Sequence, residues 1–265
     1  MIVNFAGTGN VSKFFAKILS DDFDIRYVIS RKREKAEAFV KWLGKGRGIS
    51  YEDLSALEGI VFVFVPDRYI KQVYDVLKEN AKAGTIFIHA SGYLPSSIFH
   101  DADSKGWGRA SLHPNFSFSD FQKALERRKD ITFGIEGNGL GIDSCIKIVN
   151  SISGKYVVIP EDKKPYYHLA AVVAANFLVG LAYLSKRLYE ISGVESIPTL
   201  HLMETTVENM KKIGIEKALT GPVARGEKEI IRKEGEIFEQ VFPEYVDLYW
   251  SMVKVLKEVK KHGCH

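Results

Sequence analysis

The sequence predicts an α/β fold over residues 1–160, followed by an all-α domain over residues 161–265. Three observations predict this organisation. The chain opens with an apolar strand, a Gly-x-Gly turn and a helix. Strand-like and helix-like segments then alternate as far as Pro160, which is typical of a doubly wound sheet. Beyond Lys164 no strand pattern remains, and the apolar spacing is helical.

Residues 1–12 contain the most informative pattern. The apolar run Ile2–Phe5 is typical of a strand buried on both faces of a parallel sheet. Gly7 would allow a tight turn, and Gly9, which has no Cβ, would let a pyrophosphate approach the backbone and the first amides of the next helix. Ser12 replaces the third glycine of the usual fingerprint and is small enough for close packing. We therefore expect a dinucleotide site here, although a bare glycine turn is the alternative. Its expected residues are Gly7, Thr8, Gly9, Asn10 and Val11.

The later segments of the first part continue the alternation. Predicted strands are apolar, rich in β-branched or aromatic residues and bounded by turn residues. They are Asp24–Ile29, Gly59–Val65, Thr85–His89, Arg109–Leu112, Ile131–Glu136 and Lys155–Ile159. Helices with one apolar face are predicted at Lys13–Leu19, Lys35–Leu43, Tyr69–Leu77 and Ile142–Ile152. This order of elements predicts a Rossmann-like domain.

The segment after the second strand bears on cofactor choice. It contains Ser30, Arg31, Lys32 and Arg33, where an NAD site usually has an acid that binds the ribose 2′-hydroxyl. Ser30 and Arg31 would instead hold a 2′-phosphate by charge-assisted hydrogen bonds. The alternative, a solvated start of a helix, places cations where the helix dipole disfavours them. The segment therefore favours NADP over NAD.

Other candidate residues follow the middle strands. Val65 and Pro66 end one strand, and His89 and Ser91 follow the next. Because the carboxyl ends of parallel strands share one edge of a sheet, we expect these four residues to line the dinucleotide cleft. His113, just before Pro114, would shape the nicotinamide pocket by orientation more than by proton transfer.

The all-α part is predicted to contain four long helices. They are Tyr166–Glu190, a helix opened by Ser196-Ile197-Pro198, Glu227–Phe242, and a last helix from Pro243 through Lys260. The stretch Leu169–Leu184 is apolar on nearly every side, which favours cover by a second surface. We therefore expect a homodimer joined through this domain. Lys163 and Lys164, at its start, are expected to be solvated, although either could reach an acidic substrate at the hinge.

Composition limits the classes of function. With 46% hydrophobic and 26% charged residues, the chain is typical of a soluble globular protein. A net charge of +4, with basic residues scattered among acids, predicts no nucleic-acid partner. The longest apolar stretch is shorter than a membrane span, and no basic segment precedes the first strand, so we expect a cytoplasmic protein without a membrane partner. Cys145 and Cys264 form neither a disulfide framework nor a metal-ligand pattern.

These motifs together resemble the 6-phosphogluconate dehydrogenase superfamily, which includes β-hydroxyacid dehydrogenases, pyrroline-5-carboxylate reductase and prephenate dehydrogenase. More narrowly, the sequence is similar to Rossmann-like proteins with a C-terminal domain of unknown function. The segments that carry this likeness are Val65-Pro66-Asp67, His89–Gly92, His113-Pro114, Tyr167–Ala171 with Asn176, and Leu219–Gly226. The resemblance implies a two-domain fold, NADP(H) binding and dimerisation through the helical domain.

Candidates for proton transfer lie on the first long helix. The resemblance to β-hydroxyacid dehydrogenases implies a catalytic lysine one turn before an asparagine. If that asparagine is Asn176, the lysine position is Val172, which has no acid–base group. His168 precedes Asn176 by two turns, and at about 100° per residue the two lie about 80° apart on one broad face. His168 could therefore exchange the proton that accompanies hydride transfer, with interdomain packing as the alternative.

A turn in the helical part supplies two further candidates. Thr220 and Arg225 are the expected substrate-binding residues, since an arginine fork suits a carboxylate or phosphate, although an ordinary break between helices is the alternative. The whole pattern predicts an NADP-dependent oxidoreductase that transfers a hydride to or from a small polar carbonyl, alcohol or imine in the interdomain cleft. The alternative is a non-catalytic NADP(H)-binding sensor or regulatory protein, which the missing lysine favours.

Overall fold

The computed structural model describes residues 1–118, 120–194 and 198–263. The chain divides into two compact units, Met1–Phe177 and Leu178–His265. The last strand of the first unit ends at Val158, close to the change of composition at residue 160. The first unit also includes the helical residues that follow this strand.

The first unit is built on one eight-stranded sheet in the order β3-β2-β1-β4-β5-β6-β7-β8. All neighbouring strands are parallel except β6 and β7, which pair antiparallel. The strands are β1 (Ile2–Ala6), β2 (Asp24–Ile29), β3 (Arg47–Ile49), β4 (Ile60–Val63), β5 (Ile86–His89), β6 (Gly108–Asn115), β7 (Thr132–Gly137) and β8 (Lys155–Val158). This topology confirms the predicted Rossmann-like fold.

Helices follow most of the strands, as the apolar spacing predicts. In the first unit they are α1 (Asn10–Leu19), α2 (Arg33–Leu43), α3 (Ile70–Leu77), α4 (Phe121–Glu126) and α5 (Gly139–Ser151). An aromatic cluster fixes α1 against the sheet, because the ring of Phe15 lies 5.5 Å from that of Phe62 and 5.1 Å from that of Phe64. Such rings bury much apolar surface in specific geometries, so the start of α1 has a rigid support.

The first long helix differs from the prediction. It consists of α6 (Lys164–Ala171), a π-helical turn at Val172–Phe177, and α7 (Leu178–Ile191). The π turn replaces i→i+4 hydrogen bonds by i→i+5 bonds. The regular α-helical spacing from which the angle between His168 and Asn176 was predicted therefore does not hold across this turn.

The described part of the second unit contains helices and their connecting loops, without a strand. Its further helices are α8 (Thr199–Ile213), α9 (Gly221–Arg225), α10 (Lys228–Val241) and α11 (Val246–Gly263). Ser196 and Ile197, which were expected to open α8, lie outside the described residues, as does Cys264. Cys145 is free and buried.

The helical run Glu161–Ile191 is apolar on much of its surface. By length and composition alone it could cross a membrane, so the expectation that its apolar stretch is too short needs correction. Large apolar side chains on this run are exposed, and Val179 keeps 71% of its accessible surface.

Candidate functional site

The turn between β1 and α1 has the backbone that its glycines predict. Gly7 has a φ of +118°, and a Cβ added there would lie 2.1 Å from the carbonyl oxygen of Phe64. Only glycine fits this position, because both the conformation and the close approach exclude a side chain. Gly9 is extended, and a Cβ there would meet no atom within 4 Å. The space beside Gly9 is therefore open.

The N-terminus of α1 opens from this turn. Gly9 is its N-cap residue, and no side chain caps the helix. The first amides of a helix have no partner within the helix, so those of Asn10, Val11 and Ser12 are available to an anion. The side chain of Asn10 donates to the carbonyl oxygen of Phe118 at 3.2 Å. The residues present thus fit a pyrophosphate, with Thr8 half-buried between the two glycines.

A cavity of about 190 Å³ adjoins the end of β2. Its lining includes Arg31, Tyr51, Val65, Pro66 and Tyr69. The Arg31 guanidinium lies 5.5 Å from the centre of the Tyr69 ring. Burial raises the pKa of Tyr51, and the charge of Arg31 opposes that rise. The cavity therefore combines aromatic walls with a cation, which suits a nucleotide base beside a phosphate.

The basic residues after β2 differ in their ion-pair partners. Arg33 pairs with Glu37 at 2.8 Å and with Asp53 at 3.5 Å. Arg31 has no carboxylate partner among residues 1–118, 120–194 and 198–263. The backbone N–H of Ser30 donates to the carbonyl oxygen of Ile49 at 3.1 Å, which fixes the segment beside β3. Arg31, unlike Arg33, therefore has its guanidinium available to an anion.

A second group of residues meets around Gly92, in the loop after β5. A Cβ added at Gly92 would lie 2.6 Å from Nδ1 of His168 and 2.8 Å from Nε2 of His113. The two imidazole rings are 5.9 Å apart and nearly perpendicular. Nδ1 of each ring is buried and has no hydrogen-bond partner among the described residues. The structure thus brings together two of the predicted catalytic residues.

Tyr167 extends this group. Its ring lies 5.7 Å from that of His113, above Gly134, the residue that pairs with His113 across β6 and β7. A Cβ at Gly134 would lie 2.8 Å from the Tyr167 hydroxyl, which is buried and unpaired. We call Gly92, His113, Tyr167 and His168 the histidine cluster. Each unpaired buried group costs about 1–3 kcal/mol, so three in one cluster call for a functional explanation.

The protonation of the cluster follows from its surroundings. Burial, together with the nearby charges of Lys164 and His168, lowers the pKa of His113 to about 4. His113 is therefore neutral near pH 7. Burial raises the pKa of Tyr167, so its hydroxyl stays protonated. The cluster can offer both an acceptor and a donor to a bound molecule.

His89 and Ser91 have different positions from those expected. The His89 ring is fully buried, its Nδ1 accepts from the N–H of Ser91 at 3.1 Å, and its Nε2 lies 3.3 Å from the carbonyl oxygen of Pro95. Neither ring nitrogen is left for a cofactor. The Ser91 hydroxyl donates to Asp67 at 2.6 Å. Both residues therefore shape the loop that presents Gly92.

Lys164 is a residue of the site that the sequence did not predict. It was expected to be solvated, but it is only 1% exposed. Its Nζ donates to the carbonyl oxygen of Ser91 at 3.2 Å and to Oγ of Ser111 at 2.6 Å. Burial lowers the pKa of Lys164 to about 8 against the opposing charges of nearby carboxylates. No local pattern marks this lysine, because both partners are distant in sequence.

The remaining candidates are Asn176, Thr220 and Arg225. Asn176 lies in the π turn and is exposed. Thr220 and Arg225 belong to the second unit. The Arg225 guanidinium binds Glu227 through two bonds of 2.8 Å, so its fork is already paired. Thr220 is exposed and makes no capping bond to α9.

Comparisons with known proteins agree with this fold. Residues 131–255 match the family model "Domain of unknown function (DUF2520)". The solved structure of protein TM1727 from Thermotoga maritima is 42% identical, with a TM-score of 0.83, over 99% of this chain and 100% of that one. The chain belongs to the family of TM1727. A comparison with curated proteins finds no match.

More distant structures share the fold of the TM1727 family. A pyrroline-5-carboxylate reductase from Coxiella burnetii is 16% identical, with a TM-score of 0.59, over 96% of this chain and 97% of its own. A reductive aminase from Aspergillus terreus, solved with NADPH and ethyl-5-oxohexanoate, is 12% identical, with a TM-score of 0.66, over 98% and 94%. These likenesses place the chain among Rossmann-type, dehydrogenase-like folds.

Proposed function

We propose that this protein is an NADP(H)-dependent oxidoreductase that acts on a small carbonyl, alcohol or imine. The observation that carries the proposal is the histidine cluster, with three buried and unpaired polar atoms. Gly92 follows β5 and His113 lies near the carboxyl end of β6, and these strand ends share one sheet edge with the glycine turn after β1. Ligands of doubly wound folds bind at this edge.

The residues divide between holding the cofactor and handling the proton. The Gly7–Gly9 turn and the start of α1 would bind the pyrophosphate, and Arg31 would bind the 2′-phosphate. The bound cofactor would supply or accept the hydride. His168 would exchange the proton with the substrate oxygen or nitrogen. His113, which is neutral, and Tyr167, which is protonated, would orient the substrate by accepting and donating hydrogen bonds.

The convergence of polar groups around Gly92 favours an enzyme over a sensor. A sensor needs no unpaired imidazole or hydroxyl beside its cofactor, and such groups lower stability when nothing binds them. A screen of oxo acids, hydroxy acids and cyclic imines, followed by NADPH absorbance, tests the proposal. We expect turnover by the wild type and its loss in His168→Ala. NADPH binding without turnover of any of these substrate classes would favour the sensor instead.

We also propose a homodimer joined through the C-terminal domain. The support is the exposed apolar surface on the helical run Glu161–Ile191, which a second copy could cover. Light scattering measures the mass directly. We expect a dimer at micromolar concentration, and a monomer at tens of micromolar would contradict this assembly.

A further inference from the structure

The ammonium of Lys164 connects three separate elements of the first unit. Lys164 begins α6, and its Nζ donates to the Ser91 carbonyl in the loop after β5 and to Ser111 Oγ in β6. The Ser111 hydroxyl donates to the same Ser91 carbonyl at 2.8 Å. Helix α6, the loop after β5 and strand β6 thus meet at one charged group that is almost fully buried.

Lys164 and the two residues that it binds are each close in sequence to a member of the histidine cluster. Ser91 precedes Gly92 directly. Ser111 precedes His113 by two residues on β6, so the two side chains lie on the same face of the strand. His168 follows Lys164 by four residues on α6, which places both on one face of the helix.

We propose that Lys164 is a positioning residue, whose buried ammonium fixes the loop after β5, strand β6 and the first turn of α6 so that Gly92, His113 and His168 meet. The inference deepens the proposed function, because it rests on the histidine cluster being the site. A buried charge lowers stability compared with an alkyl side chain of similar length. A lysine whose described hydrogen-bond partners are neutral oxygens therefore calls for a role beyond packing.

The electrostatic surroundings of Lys164 agree with this role. The carboxylates of Glu136, Asp67 and Glu161 favour its charged form across the site. Its charge in turn adds to burial in lowering the pKa of His113 to about 4. Among the described residues, the titratable groups that face His113 are Lys164, His168, the neutral phenol of Tyr167 and the buried His89. Lys164 thus influences both the position and the protonation of His113.

The test compares Lys164→Met with Lys163→Met. Lys163 is the matched control, since it is exposed and pairs with Asp162 at 3.0 Å. Both variants are studied by NMR without cofactor or substrate. In Lys164→Met, we expect hydrogen exchange of the Ser91 and Leu94 amides to accelerate by about tenfold or more, since a charge-assisted bond to the loop is lost. The pKa of His113 should also rise by about one as the nearby charge disappears. Lys163→Met should change neither quantity.

Unchanged loop exchange and an unchanged pKa of His113 in a folded Lys164→Met would overturn the proposal. Acceleration spread evenly over all amides would also overturn it, since that result indicates general destabilisation. If Lys164→Met does not fold, Lys164→Gln removes the charge and the ammonium bonds to Ser91 and Ser111 but keeps a polar side chain. We then expect the same local acceleration of amide hydrogen exchange in the loop. Unchanged exchange would again contradict the proposal. None of these readouts needs turnover, so they stay informative even if the proposed function fails.

Discussion

The substitution Gly9→Ala separates cofactor binding from folding. A Cβ at Gly9 meets no protein atom within 4 Å, and the backbone there is extended rather than left-handed. The expected loss of stability is therefore only the difference between glycine and alanine at a helix N-cap, below about 1 kcal/mol. The same methyl group would occupy the space that a pyrophosphate needs. Overpacking of this kind costs about 1–3 kcal/mol, which is roughly five- to 150-fold in Kd.

Calorimetry with NADPH and a thermal melt check this prediction together. Gly9→Ala should melt within about 4 °C of the wild type and bind NADPH more weakly. Gly139→Ala is the control, since its added Cβ also meets nothing and it lies at the start of α5, away from the glycine turn. Gly7→Ala should behave differently and destabilise the fold, because its Cβ would collide with the Phe64 carbonyl. A folded Gly9→Ala that binds NADPH as tightly as the wild type would refute the assignment of the turn.

Four further predictions concern other parts of the molecule. Arg31→Ala should weaken NADPH binding by about 1.5–3 kcal/mol in calorimetry and leave NADH binding unchanged; equal losses for both would argue against a 2′-phosphate contact. His168→Ala should lower turnover by about 10²–10⁴ with NADPH affinity preserved, whereas an effect on melting temperature alone would indicate packing. In the folded protein the pKa of His113 is about 4, so its ring stays neutral as the pH falls to about that value. In the unfolded chain the same ring is protonated near pH 6.5. Stability in urea should therefore fall by about 1–3 kcal/mol as the pH drops from 6.5 to 4, and less in His113→Asn. Val179→Asp should convert the dimer to a monomer in light scattering, and an unchanged mass would place the interface elsewhere.

The fold was predictable wherever elements are long and regular. β2 has the predicted bounds because its apolar residues stand between polar turns. β3 was missed, since it has three residues and includes Gly48, whose added Cβ would lie 2.5 Å from the backbone of α2. α4 was missed because its six residues span less than two turns. Short elements depend on their neighbours, which a local pattern does not contain.

The site was predictable only in part, for a related reason. His113 and His168 were identifiable as titratable residues in motifs, but their convergence on Gly92 depends on three elements packing together. Lys164 was expected in solvent because its neighbours in sequence are polar or proline. Its partners are 53 and 73 residues away along the chain. The π turn after α6 likewise has no signal in the spacing of apolar residues.

A crystal structure of the protein with bound NADP⁺ would show where each part of the cofactor lies. We expect a pyrophosphate on the Gly7–Gly9 turn, a 2′-phosphate at Arg31, and a nicotinamide ring facing the histidine cluster. Its C4 atom should leave room for a substrate carbon at about 3–3.5 Å, within reach of His168 and His113. A nicotinamide directed away from Gly92, or a 2′-phosphate without contact to Arg31, would contradict the account.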